Sequence, residues 1–319
     1  MKSYRYVILN PTGNLTALVT EWGGPEEEPE ITRRLMKESE QVAYLEPPSL
    51  PGSLARIRLM GGEFCGNAAM AAAGWLIRDR LESGKEYTVP IEVSGAEGVL
   101  FCRVRGMETG FEGTVEMPRV LGIRLQETEG MTLTAVRMEG IVHWIREGRI
   151  PLGKAEAENL LKRLADSVPE EEAAGLLDRD PETGKMQPLV FVRASGTMVW
   201  ETACGSGSAA VGALEAIRGG DGTVQTSVFQ PGGVIRATAT AKGGRILSVS
   251  ISGVVRIGEE TEAPNDLLSE ILSGPGKGPG GGTVDAGGTP VLCDPHAEPP
   301  YREPDHQSGA AVQTGDQPG

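Results

Sequence analysis

The chain has 319 residues, room for two average domains or one large one and ample for a buried core. Its 30 Lys and Arg against 44 Asp and Glu give a formal charge of −14, a surface that repels phosphate backbones and argues against nucleic-acid binding. It has no run of about 20 apolar residues to span a bilayer, and its start has no apolar signal core before a small-residue cleavage site, so a soluble cytoplasmic protein is expected.

In chain order, Tyr4 to Ile8 and Thr16 to Val19 read as strands around the turn-rich segment Asn10-Pro11-Thr12-Gly13-Asn14. Pro29 to Glu38 has a Pro in its first turn and Ile31, Leu35 and Met36 at helical spacing. Strands are expected at Gln41 to Leu45 and Ala55 to Leu59. A glycine-rich turn around Cys65 then opens a helix from about Asn67 to Leu81, with Ser83-Gly84 as its stop. The second half repeats this layout. It has a helix at Lys154 to Ser167, strands at Leu189 to Arg193 and Met198 to Trp200, and a turn around Cys204 opening a small-residue helix that stops at Gly219-Gly220. Aligning Cys65 with Cys204 pairs Gly66 with Gly205, and GVLFCRV (98–104) then resembles GVIRATA (233–239). Internal duplication of one α/β unit is the economical reading. It gives a first domain at 1–120 and a second at 121–263, whose last strand is free to return to the first domain, and a cleft with one Cys-Gly turn on each wall. From Gly274 to Gly319 the chain holds 11 Gly and 8 Pro in 46 residues, so 264–319 is expected to be a disordered tail. Its Cys293, His296 and His306 are left out of the site.

Four cysteines (Cys65, Cys102, Cys204, Cys293) are too sparse for a disulfide scaffold. The cysteines and histidines show no metal-ligand spacing, so no metal is expected. A cysteine just before a helix start has unpaired N–H groups and the positive end of the dipole beside it, which favour thiolate. The same N–H groups can hold a carboxylate. One such turn suits a nucleophile, a redox thiol or a packed small residue, whereas two at matching places suggest a paired acid and base. Inverting a Cα–H centre requires such a pair, one group on each face. Cys102, inside a strand and away from any glycine turn, reads as packing. A thiol-redox or binding protein is the rival reading, and it leaves the duplicated anion-binding turns unexplained.

Over roughly Tyr4 to Gly258 the chain resembles the cofactor-independent amino-acid racemase and epimerase superfamily typified by diaminopimelate epimerase. The resemblance rests on Asn14 in NPTGN, Glu40-Gln41, Cys65-Gly66-Asn67 and Ala203-Cys204-Gly205-Ser206-Gly207. Within it, NPTGNLTALV, EQVAYLE, GEFCGNAAM, the VHW around His143, WETACGSGSA and QPGGVI resemble the histidine racemases of staphylopine-type metallophore biosynthesis. The resemblance implies an α/β (α+β) fold of two pseudo-symmetric domains, each a mixed or antiparallel sheet or barrel round a central helix. It also implies a homodimer and cofactor-free conversion of L-histidine to D-histidine, with Cys65 and Cys204 catalytic. Substrate contacts are expected from Asn14, Glu40, Gln41, Gly66, Asn67, Glu201, Gly205 and Ser206. Diaminopimelate epimerase has a Glu-Arg pair before its second cysteine, whereas Trp200-Glu201-Thr202-Ala203-Cys204 has no Arg, which makes epimerase activity the lesser alternative. Glu201 is the candidate for the ammonium contact, against a solvated glutamate. Glu40 is a candidate for the imidazole or ammonium, and Gln41 equally suits the core of its strand. His143 reads as a satisfied, half-buried histidine.

Overall fold

The computed structural model describes residues 3–194 and 196–264. The expected tail, with Cys293, His296 and His306, lies outside them from residue 265 on. The first half runs β1 (Ser3–Pro11), β2 (Thr16–Glu21), α1 (Glu28–Leu35), β3 (Gln41–Glu46), β4 (Arg56–Leu59), α2 (Gly66–Leu76), β5 (Glu86–Val93), β6 (Leu100–Gly106) and β7 (Phe111–Glu116). Next come β8 (Val120–Thr128), β9 (Met131–Met138), β10 (Ile141–Glu147), α3 (Lys154–Asp166), β11 (Ala173–Arg179), β12 (Met186–Val192) and β13 (Thr197–Trp200). The described chain closes with α4 (Gly205–Gly219), β14 (Gly222–Gln230), β15 (Gly233–Lys242) and the long β16 (Arg245–Pro264).

A helix apolar on every side has to be buried on every side, and α2, rich in Ala with no charged residue, meets that condition by standing inside a sheet. Strands β1 to β7 lie side by side in sequence order, β16 follows β7, and β16 also pairs with β1, so the ring closes round the helix. Glycines permit the close packing: a Cβ at Gly74 would lie 2.0 Å from the Phe111 ring. On the outside, α1 covers β1 to β3 with Ile31 and Leu35 against Tyr4, Val42 and Tyr44.

The second small-residue helix, α4, lies between β14–β15–β16 and the sheet β13-β12-β11-β10-β9-β8. A Cβ at Gly212 would be 2.6 Å from that of Ala237 on β15. Strand β10 divides its side chains by the two-residue period of a strand. Val142 and Trp144 meet the apolar face of α3, while Ile145 belongs to the core that contains α4. Strand β16 belongs to both halves, pairing successively with β15, β7 and β1. No helix among the described residues is long and apolar enough to cross a membrane.

The helix expected to reach Leu81 ends at Leu76. Ile77 leaves helical geometry at φ −113° and ψ 13°, and continuing would carry Arg78, Asp79 and Arg80 along the apolar axis of the ring. They form a single 3-10 turn instead, with the Arg78 guanidinium 4.1 Å from the centre of the Trp75 ring.

Candidate active site

Cys65 and Cys204 occupy the same backbone position in their two turns. Each is the N-cap of its helix in extended conformation, at φ −134° and ψ 112° for Cys65 and φ −105° and ψ 112° for Cys204. Each sulfur takes the place of the usual capping oxygen, accepting from Ala68 N at 3.5 Å and from Gly207 N at 3.3 Å. The glycine that follows allows the turns to approach one another. The Cβ positions of Gly66 and Gly205 lie 3.0 and 2.8 Å from the same Ile251 Cδ1 on β16. Asn67 Nδ2 spans the gap, donating to Ala203 O at 3.1 Å. The two helix starts therefore face each other across one small space.

The loops ahead of the helices close that space. Asn14 Nδ2 donates to Glu40 Oε2 at 2.7 Å, and Gln41 Nε2 donates to Asn14 Oδ1 at 2.8 Å and to Thr16 Oγ1 at 2.7 Å. Asn67 Nδ2 also reaches Asn14 Oδ1 at 3.2 Å. Thr202 ties the halves together, its hydroxyl lying 2.7 Å from Glu40 Oε1 and 2.8 Å from Gly13 O, two acceptors that share its single hydrogen. Gly13 has φ +99°, and a Cβ there would lie 2.4 Å from Gly232 Cα, so this loop crossing requires glycine.

Burial pushes the Cys65 thiol up to about 11, reinforced by the charges of Glu201 and Glu63 and offset by the Ala68 N–H and the Gln41 amide. Cys204, 3% exposed, is pushed well above its usual value by burial, then by the charge of Glu201 and a hydrogen bond to it. Ser206 and the Gly207 N–H pull it back. Glu201 is raised to about 7, mainly by burial and further by Glu40, while its bond to the Cys204 thiol lowers it. It is half-buried, and its charge raises both Cys65 and Cys204. Cys102 is buried, and burial alone raises it to about 12, in keeping with packing.

All ten residues singled out in the sequence (Asn14, Glu40, Gln41, Cys65, Gly66, Asn67, Glu201, Cys204, Gly205 and Ser206) thus come together. Three others join them. Thr202 has no sequence signal beyond its place beside the turn. Gln230 Oε1 accepts from Cys204 N at 2.7 Å while its Nε2 donates to Ser208 Oγ at 2.9 Å. His143 is fully buried, deeper than expected, and Nδ1 has no partner among the described residues. No group of three or more His, Cys, Asp or Glu among the described residues could hold a metal ion.

Paired small-residue helices, each sheathed in sheet and each started by a Cys-Gly turn, define an epimerase-like isomerase. A predicted epimerase from Pseudomonas aeruginosa shares the fold at a TM-score of 0.60 and 17% identity, over 82% of this chain and 99% of that one. The family described as the histidine racemase CntK N-terminal domain matches residues 3–263. A histidine racemase of Fusobacterium nucleatum is 30% identical over 219 residues, 65% of this chain and 78% of that one. A histidine racemase of Staphylococcus aureus is 27% identical over 246 residues, 72% of this chain and 86% of that one. The chain belongs to the histidine racemase family.

Proposed function

We propose that the protein interconverts L- and D-histidine without a cofactor, moving the Cα proton between Cys65 and Cys204. The observation that carries this reading is the joining of the two cysteine turns through Ile251 and the Asn67–Ala203 hydrogen bond. It supports a reading in which each half of the chain, 1–120 and 121–263, contributes one capping thiol to a single substrate position. A thiolate on one wall removes the proton while the thiol on the other delivers one to the opposite face, and the roles exchange for the reverse reaction. Charge then develops on the substrate carboxylate. The Ala68 and Gly207 amides are engaged by sulfur, which leaves the first-turn N–H groups of Gly66, Asn67, Gly205 and Ser206 to hold that carboxylate, stabilised by two helix dipoles.

Glu201 acts on the Cys204 thiol through its charge, and Glu40 is the carboxylate assigned to the substrate's ammonium or imidazole. Both of its oxygens already accept one bond, from Asn14 and Thr202, and each has a lone pair left. Family membership supports histidine as substrate. A cytoplasmic homodimer that supplies D-histidine for an opine-type metallophore is the setting this reading implies. The test is to incubate the protein with single L-amino acids and separate the enantiomers by chiral chromatography. Histidine alone should racemise. Turnover of diaminopimelate or proline in its place would overturn the substrate assignment.

A further inference from the structure

The Cys204 sulfur has a neighbour that the proton transfer does not use. Ser206 Oγ lies 3.5 Å from Cys204 Sγ and 2.9 Å from Nε2 of His143. We propose that His143 is a positioning residue that turns the Ser206 hydroxyl proton toward the Cys204 sulfur and so favours its thiolate. This rests on the reading of Cys204 as a proton-transfer group.

The ring's place in the sheet fixes its proton. His143 pairs in parallel register with Gly175 of β11, and a Cβ at Gly175 would lie 2.1 Å from His143 Nδ1, so backbone packs directly on that nitrogen. Burial holds the ring neutral, its pKa lowered to about 3, so it carries one N–H. On Nδ1 that hydrogen would be a buried donor with no partner among the described residues, a rarer and less favourable arrangement than an unpaired acceptor. On Nε2 it donates to Ser206 Oγ. Ser206 is then the acceptor in that bond, and its own hydrogen is free to point at sulfur.

The Cys204 thiolate therefore accepts from Ser206 at 3.5 Å and from Gly207 N at 3.3 Å, while the charge of Glu201 favours the thiol. Glu201, with Glu40 acting on it, supplies the charge on that wall. The equivalent turn has no such relay, because Asn67 stands where Ser206 does and its amide is committed to Ala203 and Asn14.

The test is alkylation of the full-length protein by iodoacetamide across pH, with the peptides carrying Cys65 and Cys204 quantified separately by mass spectrometry. In Ser206→Ala and in His143→Leu, Cys204 should react about tenfold more slowly near pH 8, the worth of one charge-assisted hydrogen bond, while Cys65 keeps its wild-type rate. Ser206→Ala opens access to the sulfur, so a slower reaction cannot come from shielding. His143→Gln, which presents a donor near the Nε2 position, should restore most of the rate. An unchanged Cys204 rate, or an equal change at both cysteines, overturns the relay. Cys204→Ser, assayed in parallel, separates the two readings: normal racemisation by that variant removes the base assignment itself, whatever the alkylation shows.

Discussion

Cys65 caps α2 as a half-buried residue, beside the Gln41 amide and the Ala68 N–H, whereas Cys204 caps α4 at 3% exposure between Ser206, Gly207 and Glu201. The backbone device is the same in both. What differs is the set of side chains brought to it: the first turn draws on the loops around Asn14 and Gln41, and the second on β10 and the segment after β13. The two turns share one backbone position, and their two thiols have unlike protonation partners. A reaction that runs in both directions needs two interchangeable groups, and it does not need them to be identical.

The comparison is broken most directly at sulfur. Cys65→Ser and Cys204→Ser should each lower racemisation by about 10³-fold or more, because serine is too weak an acid to serve as thiolate. Chiral chromatography measures this, and one variant surviving at near wild-type rate would end the two-thiol account.

A test of the scaffold comes next. Alanine normally stabilises a helix interior by about 1 kcal/mol over glycine, yet Gly74→Ala would drive a methyl into the Phe111 ring and Gly212→Ala into Ala237. Overpacking of about 1–3 kcal/mol should outweigh the gain, more at Gly74, where the clash is closer. Thermal melts should show the larger fall for Gly74→Ala. Smaller still, Glu40→Gln keeps shape and loses charge, so kcat/KM for histidine should fall about tenfold, read from initial rates.

The smallest effect is on stability and comes from Glu201. Its pKa is raised from 4.5 to about 7 in the fold, so the folded state holds the proton more tightly. That contribution is present below pH 4.5 and lost as pH rises through about 7. Glu201→Gln should therefore raise the Tm at pH 8 by about 2–4 °C and leave it nearly unchanged at pH 4. An unchanged Tm at both pH values would contradict the burial of that charge.

Much of this was legible in the sequence because its strongest signals are local. Glycine next to cysteine, followed by a run of small residues, marks both helix starts and aligns the halves. Asn14, Glu40 and Gln41 were legible through the resemblance, since loop residues distant in sequence carry no local sign of meeting. The end of α2 was overestimated because apolar content continues through Ile77, while the reason to stop, the closed ring beyond the helix, is tertiary. Strands β8 to β10 carry little local signal, and His143 between the apolar Val142 and Trp144 reads as a half-buried histidine. In fact the alternation of the strand sends them to α3 and the histidine toward Ser206. Thr202 and Gln230 are ordinary polar residues in sequence and acquire roles only when the loops cross.

The most direct test of the central claim is racemisation of L-histidine in D2O, followed at low conversion by mass spectrometry of the separated enantiomers. Two thiols on opposite faces predict deuterium at Cα in the D-histidine formed and protium in the L-histidine that remains, with the reverse pattern starting from D-histidine. Product that retains its original protium, or histidine that exchanges in neither direction, would contradict the account.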